Sequence, residues 1–442
     1  MFRIFHRTIF ILTVLLTLCS VEAQNSTNMI DAAGKAKVID EIANTLVKNY
    51  IFPNAAKKMA DYIQQQLKKG AYDQHSDPVI FAEAVLKDLQ STHKDGHLSF
   101  HYDPEAVQQI QRIRSQKPEE VTQAKETQNL NLRKDNYGFR KAERLPGNVG
   151  LLKFDYFAFN DGAGEAATAA LNFLANCDAL IVDLRDNGGG DPAQIQYISS
   201  YFFDRPVHLN DIYSRKDDST EHYWTLPYVP GKRLSKADIY VLTSSRTYSG
   251  AEEFSYNLKN LKRATIVGET TGGGAHPTEP NIISAQYVLY VPFARAINPI
   301  TKTNWEGTGV TPDVSVDRDK AFDEAYRMAL ETLASKAESR QKAELEWVLL
   351  GLEAKKSPPN LSEAMLQTYQ GTYGERKVFL ENGTLYYQRT GPRLKLVPLT
   401  ETIFAPEGLE DFRLKFVIQE GKAVEVIGLY QNGHQDSSQR TQ

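Results

Sequence analysis

Cysteine is almost missing from this 442-residue chain, which holds only Cys19 and Cys177. Cys19 falls in an N-terminal stretch that reads as cleavable, so one thiol remains. One thiol excludes an internal disulfide and a metal site built on cysteine. Cys177 borders an apolar run and reads as a core residue. Long apolar runs are also lacking: Thr8 to Leu18 is the nearest, and it is too short to span a bilayer. An excess of one charge is lacking as well. The formal net charge of −4 argues against a nucleic-acid partner. There is no HExxH, no metal-like His/Asp spacing, no Gly-Lys-Ser/Thr and no GxGxxG. No metal, nucleotide or other cofactor is therefore expected.

What is present begins with a processing segment. Arg3 and Arg7 make a basic start, the short apolar run follows, and Val21-Glu22-Ala23 is a small-residue cleavage site. Residues 1–23 read as a signal peptide, leaving Gln24 first in an exported, periplasmic or secreted chain. Cys19 suggests a lipoprotein, but the bulky Leu18 before it weighs against acylation. No later stretch reads as a membrane span. A chain this long should hold about two or three units.

Residues 24–102 read as a helical subdomain, with Val38, Ile42, Leu46 and Val47 on one face and Met59, Ile63 and Leu67 on another. Asp77-Pro78 is a cap and first-turn pair for a third helix. Residues 103–145 are polar and read as a connector or a solvated helix. From 146 to 318 short apolar runs alternate with helical stretches. The runs are Val149 to Phe154, Ala179 to Leu184, Ile239 to Leu242, Thr265 to Val267 and Tyr287 to Val291. That alternation predicts an α/β core with a buried sheet. Residues 319–357 read as helix and linker, closing on Lys355-Lys356-Ser357-Pro358-Pro359. Over 358–442 the period becomes two. The hairpin signal Asn382-Gly383 sits there, which predicts a small all-β accessory domain.

Ser249 is the most informative residue. An apolar strand pattern runs into Thr243-Ser244-Ser245-Arg246-Thr247-Tyr248-Ser249-Gly250, and a helix-forming stretch follows. A hydroxyl at a helix N-terminus is placed where unpaired N–H groups favour an alkoxide or oxyanion. An N-cap serine would look the same. Asp183-Leu184-Arg185-Asp186-Asn187-Gly188-Gly189-Gly190 also lies between strand and helix, and reads as half of an oxyanion hole or as a tight turn. Gly272-Gly273-Gly274-Ala275-His276 could line a peptide groove, with Gly273, Gly274 and His276 as the contacts, or simply turn. Glu306, beside Trp305, is a candidate carboxylate or a surface charge, and His97 is a candidate base or a structural histidine.

Taken together, residues 35 to 318 resemble the C-terminal processing (tail-specific) protease family of serine peptidases. The motifs are the Asp183 to Gly190 strand end, Thr247-Tyr248-Ser249-Gly250-Ala251-Glu252, and Glu306-Gly307-Thr308-Gly309-Val310-Thr311-Pro312-Asp313. Asn49-Tyr50-Ile51-Phe52-Pro53 and Asp95-Gly96-His97-Leu98 resemble the subgroup related to interphotoreceptor retinoid-binding protein, which lacks a PDZ insert. The resemblance implies a Clp protease/crotonase-like core and a polypeptide substrate. It implies Ser249 as nucleophile, with oxyanion donors from Gly188 or Gly189 and from Gly250. The lysine base of the bacterial enzymes would stand in Gly273-Gly274-Ala275, where there is none. The tricorn-type branch, with histidine base and late glutamate, maps to His97 and Glu306, but Gly96 replaces that branch's neighbouring serine. A bridge through Ser99 or a water is then expected between Glu306 and His97. A lipid- or retinoid-binding module on the same fold is the competing reading, and a non-peptidase ester hydrolase the third.

Overall fold

The computed structural model describes residues 29–115 and 118–442, so residues 1–23, expected to be a signal peptide, lie outside the described residues. The three expected N-terminal helices are α1 (Ala32–Asn49), α2 (Pro53–Lys68) and α3 (Pro78–Thr92). Asp31 caps α1 through the Gly34 N–H. Asp77 caps α3 through Val79 and Ile80, with Pro78 as the first helical residue. No helix among the described residues is long and apolar enough to cross a membrane.

These helices do not make a separate subdomain. Val38, Ile42, Leu46, Met59, Ile63, Phe81 and Leu89 share one core with Leu98, Phe100, Tyr287, Leu289 and Val291. The strands concerned form a three-stranded antiparallel sheet. Its members are β1 (Ser99–Tyr102), β10 (Tyr287–Pro292) and β9 (Thr278–Ile283), in that order. The polar stretch after β1 is helical, as α4 (Pro104–Ser115) and α5 (Pro118–Lys134), and ends in strand β2 (Phe139–Leu145).

The α/β expectation corresponds to β3 (Val149–Phe154), α6 (Asp161–Phe173), β4 (Ala179–Asp183) and α7 (Pro192–Ser199), followed by β7 (Asp238–Thr243), α8 (Gly250–Asn260) and β8 (Ala264–Gly268). With β12 (Val314–Ser315) they build a six-stranded sheet of order β12-β8-β7-β4-β3-β2. The β4–β7, β7–β8 and β8–β12 pairs are parallel. β4 is buried along its whole length and packs under α6, α7 and α8 through Leu180, Val182, Leu171, Ile195, Ile198, Phe254 and Leu258. Continuous apolar strands are what a sheet covered on both faces requires.

One hairpin escaped the pattern. β5 (His208–Ser214) pairs with β6 (Ser219–Trp224), and β11 (Ala294–Ile297) joins β5. β6 is mostly exposed, so no apolar alternation marks it.

The C-terminal unit is the second compact unit, formed by Arg144–Val149 with Phe322–Gln442. It opens with α9 (Ala321–Lys336) and α10 (Ser339–Lys356), and a short α11 (Glu363–Tyr369) follows the Pro358-Pro359 pair. Thus α9 and α10 cluster with the β domain rather than forming a bare linker. The strands are β13 (Gly371–Tyr373), β14 (Arg376–Glu381), β15 (Thr384–Gln388), β16 (Leu394–Pro398), β17 (Ile403–Pro406), β18 (Phe412–Gln419), β19 (Lys422–Tyr430) and β20 (Gln435–Gln439). They follow one another in a single eight-stranded antiparallel meander. A Tyr373–Arg440 bridge brings its two ends together, giving a barrel-like sheet without long free edges. Tyr373, Leu385, Phe404, Leu414 and Phe416 fill it.

Candidate active site

Three loops leave the carboxyl ends of the adjacent parallel strands β4, β7 and β8, the end of an open α/β sheet where ligands bind. Asn187 and Thr247 tie the first two together. The Asn187 side-chain amide donates to the Phe154 carbonyl at 2.9 Å, and its backbone carbonyl accepts the Tyr248 N–H at 3.1 Å. Thr247 donates to the Leu184 carbonyl at 2.8 Å.

Ser249 sits on the turn between β7 and α8 with φ 53° and ψ −119°, a strained backbone for a residue with a side chain. Glu252 holds that turn. Its buried carboxylate accepts the Ser249 N–H at 2.8 Å, the Gly273 N–H at 2.7 Å, the Gly274 N–H at 2.9 Å and the Thr271 hydroxyl. Burial pushes the Glu252 carboxyl above the usual range, against these donors, which favour the charge. Glycine is required at 189: with φ +102°, a Cβ there would lie 2.7 Å from the Gly250 nitrogen and 2.8 Å from the Ser249 Cβ.

A buried charged cluster stands across from this turn. Asp95, fully buried, accepts from the Tyr50 hydroxyl at 2.7 Å, from His276 Nδ1 at 2.8 Å and from the His97 N–H at 3.0 Å. Burial alone would raise the Asp95 carboxyl, but the His276 and Tyr50 hydrogen bonds hold it below the usual range. Glu306 accepts the Gly96 N–H at 2.7 Å and the Ala275 N–H at 2.6 Å, and lies 3.4 Å from His276 Nδ1. Burial and then the Asp95 charge push the Glu306 carboxyl up. The Tyr248 ring leans on His97 at 4.9 Å between centroids, and its hydroxyl donates to the Gly96 carbonyl at 2.8 Å. His97 Nδ1 is enclosed without a hydrogen-bond partner, and burial lowers the imidazole to about 4. A nitrogen of His97 and carboxylate oxygens of Asp95 and Glu306 all lie within 4.8 Å of one another.

Residues 148–316 match the model of peptidase family S41, and residues 32–133 match the model of the N-terminal domain of peptidase S41 in eukaryotic IRBP. Residues 148–316 thus carry a peptidase family S41 domain. It is similar to the chloroplastic carboxyl-terminal-processing peptidase 2 of Arabidopsis thaliana, 29% identical over 41% of this chain and 35% of that one. It is also similar to the tail-specific protease of Haemophilus influenzae, 30% identical over 30% of this chain and 18% of that one. The chain therefore spans about a third or less of the length of these curated relatives. Among solved structures, the photosystem II D1 C-terminal processing protease matches at a TM-score of 0.44 and 17% identity, over 64% of this chain and 94% of that one.

In this chain the fold brings His97, Glu306 and the Tyr248-Ser249-Gly250 turn to one place, although they are far apart in sequence. Other expectations change. The Gly188 N–H is spent on the Asp155 carbonyl at 3.0 Å, and the Gly189 N–H on Asn187 Oδ1 at 2.8 Å. A Cβ at Gly189 would meet Ser249, whereas one at Gly188 would meet nothing within 4 Å. Gly273, Gly274 and His276 do not line an open groove. All three are buried, because Glu252 gathers the glycine N–H groups and Asp95 binds His276. Asp95, Tyr50, Tyr248, Asn187 and Glu252 were given no role from sequence. Glu252 had a local signal, since an acid three residues after a helix-capping serine completes a capping box. Asp95 and Tyr50 lie in the motifs that carry the subgroup resemblance, but no local spacing shows their hydrogen bonds, whose partners are distant in the chain.

Proposed function

We propose that this chain is an exported serine peptidase that hydrolyses peptide bonds in extended polypeptides, using Ser249 as nucleophile and His97 as general base. Within the family the reading is of the kind related to interphotoreceptor retinoid-binding protein, with a tricorn-type catalytic set on a Clp protease/crotonase-like core. The observation that carries it is at Gly274. A Cβ there would lie 2.5 Å from His97 Cε1 and 2.3 Å from Tyr248 Cζ. The imidazole thus fills the space where a side chain from the glycine loop would enter, and a lysine base has no room.

In this reading His97 takes the Ser249 proton as the hydroxyl adds to the scissile carbonyl, then returns it to the leaving amine. Water completes the cycle by hydrolysing the acyl-enzyme. Burial keeps His97 neutral at neutral pH, the form that accepts a proton. Gly250 opens α8, where the helix has no acceptor for its N–H, and supplies one oxyanion donor. The Gly189 N–H supplies the second on release from Asn187. Glu306 acts by fixing the Gly96 and Ala275 backbone on either side of the imidazole. One water with two hydrogen bonds of about 2.8 Å spans roughly 4.6 Å, enough to couple Glu306 to His97. The test is labelling by a serine-directed fluorophosphonate, with hydrolysis of an unfolded polypeptide measured in parallel. Wild type should label and hydrolyse, and Ser249→Ala should do neither. Equal labelling of both would overturn the assignment. Export is tested by the intact mass of secreted material, with Gln24 expected first; an acylated Cys19 would contradict it.

A further inference from the structure

A second cluster of chemistry-bearing side chains lies on the β5–β6 hairpin, outside the proposed active site. His208 Nε2 and His222 Nδ1 both lie 2.6 Å from the same oxygen, Oδ1 of Asp211. No local sequence spacing announces this, because His222 comes from the neighbouring strand. A bulge supplies the rest. In a regular strand His208 and Asp211, three residues apart, would face opposite sides. The register shifts between His208 and Asn210, so that His208 opposes Trp224 and Asp211 opposes His222. Leu209 and Asn210 both turn inward and are buried, and His208 and Asp211 emerge on one face. Bulges commonly re-aim side chains in this way. The His208 ring is further fixed by lying flat on Trp224, 4.5 Å between centroids and 5° between planes.

We propose that His208, Asp211 and His222 form a binding site for a divalent transition-metal ion of the zinc class. Two imidazoles and one carboxylate are a ligand set that zinc takes with a fourth position left to solvent. The three donor atoms already converge within 4.8 Å of one another. Tetrahedral zinc needs its ligand atoms about 3.3 Å apart, from bond lengths near 2.0–2.1 Å. Each nitrogen must move away from Asp211 Oδ1 by about 0.7 Å, from 2.6 Å. His222 is the side chain free to swing, being 59% exposed, whereas His208 and Asp211 are only 24% and 18% exposed. In the metal-free form the two ring nitrogens lie within hydrogen-bond distance of Asp211 Oδ1. On binding, each imidazole takes the tautomer whose lone pair faces the ion and keeps its proton on the other ring nitrogen; an imidazolium must first lose a proton to solvent, so affinity falls in acid.

The test uses the full chain without a histidine tag and titrates Zn²⁺ by calorimetry. His222→Ala and Asp211→Asn should each take up one equivalent fewer than wild type. Zn²⁺ should raise the thermal midpoint of wild type more than that of either variant. Comparing variant with wild type separates this site from ion uptake near Asp95, His97 and Glu306, which both variants retain. Far-UV circular dichroism checks that the variants fold. Cu²⁺ gives a second readout: an ion on His208 should quench Trp224, and that quenching should disappear in His222→Ala and in Trp224→Phe. Equal stoichiometry in wild type and variants, or no saturable uptake by wild type, overturns the proposal.

Discussion

The loops after β4, β7 and β8 and the turns of the C-terminal meander solve the same problem, reversing a chain at a strand end, in opposite ways. In the meander, strain sits at exposed turns suited to it: Asn382 and Gly383 at φ 50° and 72°, and Glu420 and Gly421 at φ 47° and 76°. One of its buried charges, Arg376 on β14, meets Asp436 and Ser438 on β20. At the candidate site the strained residue is a serine at φ 53°, and beside it Asp95, Glu252 and His276 are buried together. Buried ionisable groups are costly unless each is hydrogen-bonded. The difference teaches that the meander's irregularities only close the sheet. Those of the loops are held against local preference by donors from distant parts of the chain, as is common where geometry serves chemistry.

The largest effect should sharpen this contrast. Ser249→Ala should lower turnover by roughly 10³- to 10⁶-fold with unfolding nearly unchanged, because alanine keeps the Cβ and with it the backbone strain. His97→Ala should lower turnover by a comparable order, and Gly274→Ala should also inactivate by driving a Cβ into His97 and Tyr248. Steady-state kinetics with melting curves checks all three. A Gly274→Ala variant with normal turnover would show that the crowding is not what positions the base.

Buried donors and charges should matter next, now for stability. Glu252→Ala leaves the Ser249, Gly273 and Gly274 N–H groups unpartnered. It should cost several kcal/mol, at about 1–3 kcal/mol per orphaned group, and activity should fall with it. His276→Ala removes one of three hydrogen bonds to the buried Asp95 carboxylate and should cost about 1–3 kcal/mol. If His276→Ala instead abolishes turnover while the melting temperature is unchanged, His276 rather than His97 is the base. In the meander, Arg376→Met should cost about 1–3 kcal/mol, since Asp436 remains partly solvated, and should leave turnover untouched.

The smallest effect is a pH dependence. His97 is held near 4, below its ordinary value of about 6.5, because burial disfavours the imidazolium. As a base it works above that value, so kcat/KM should rise with pH through about 4 rather than through 6 to 7. The unfolded chain takes up a proton at His97 before the folded chain does. That contribution to stability is therefore full above about 6.5 and is lost as pH falls toward about 4. Activity profiles and melting curves of wild type against His97→Ala measure both. A profile rising between 6 and 7 would mean that the imidazole is solvated in the working enzyme.

Much of this was legible in the sequence wherever the signal is local. Periodicity marked α1 to α3, continuous apolar runs marked β3, β4, β7, β8 and β10, and Asn382-Gly383 marked the β14–β15 turn. The Ser249 turn was visible because strand, glycine and helix signals are consecutive. The amphipathic strands of the β5–β6–β11 sheet were not visible, since exposed polar residues such as those of β6 carry no alternation.

What the sequence by itself determined is most of the order of elements, the Ser249 turn and the absence of a lysine in the glycine loop. Only the tertiary structure decided that His97 occupies the space above Gly274, that Asp95 engages His276, and that Gly189 rather than Gly188 meets Ser249. It also decided that a bulge turns His208 toward His222. The physical reason is range. Propensity, capping and turn chemistry act over a few residues, whereas a hydrogen bond between Glu306 and Gly96 exists only after the packing of the sheets has brought together residues 210 positions apart.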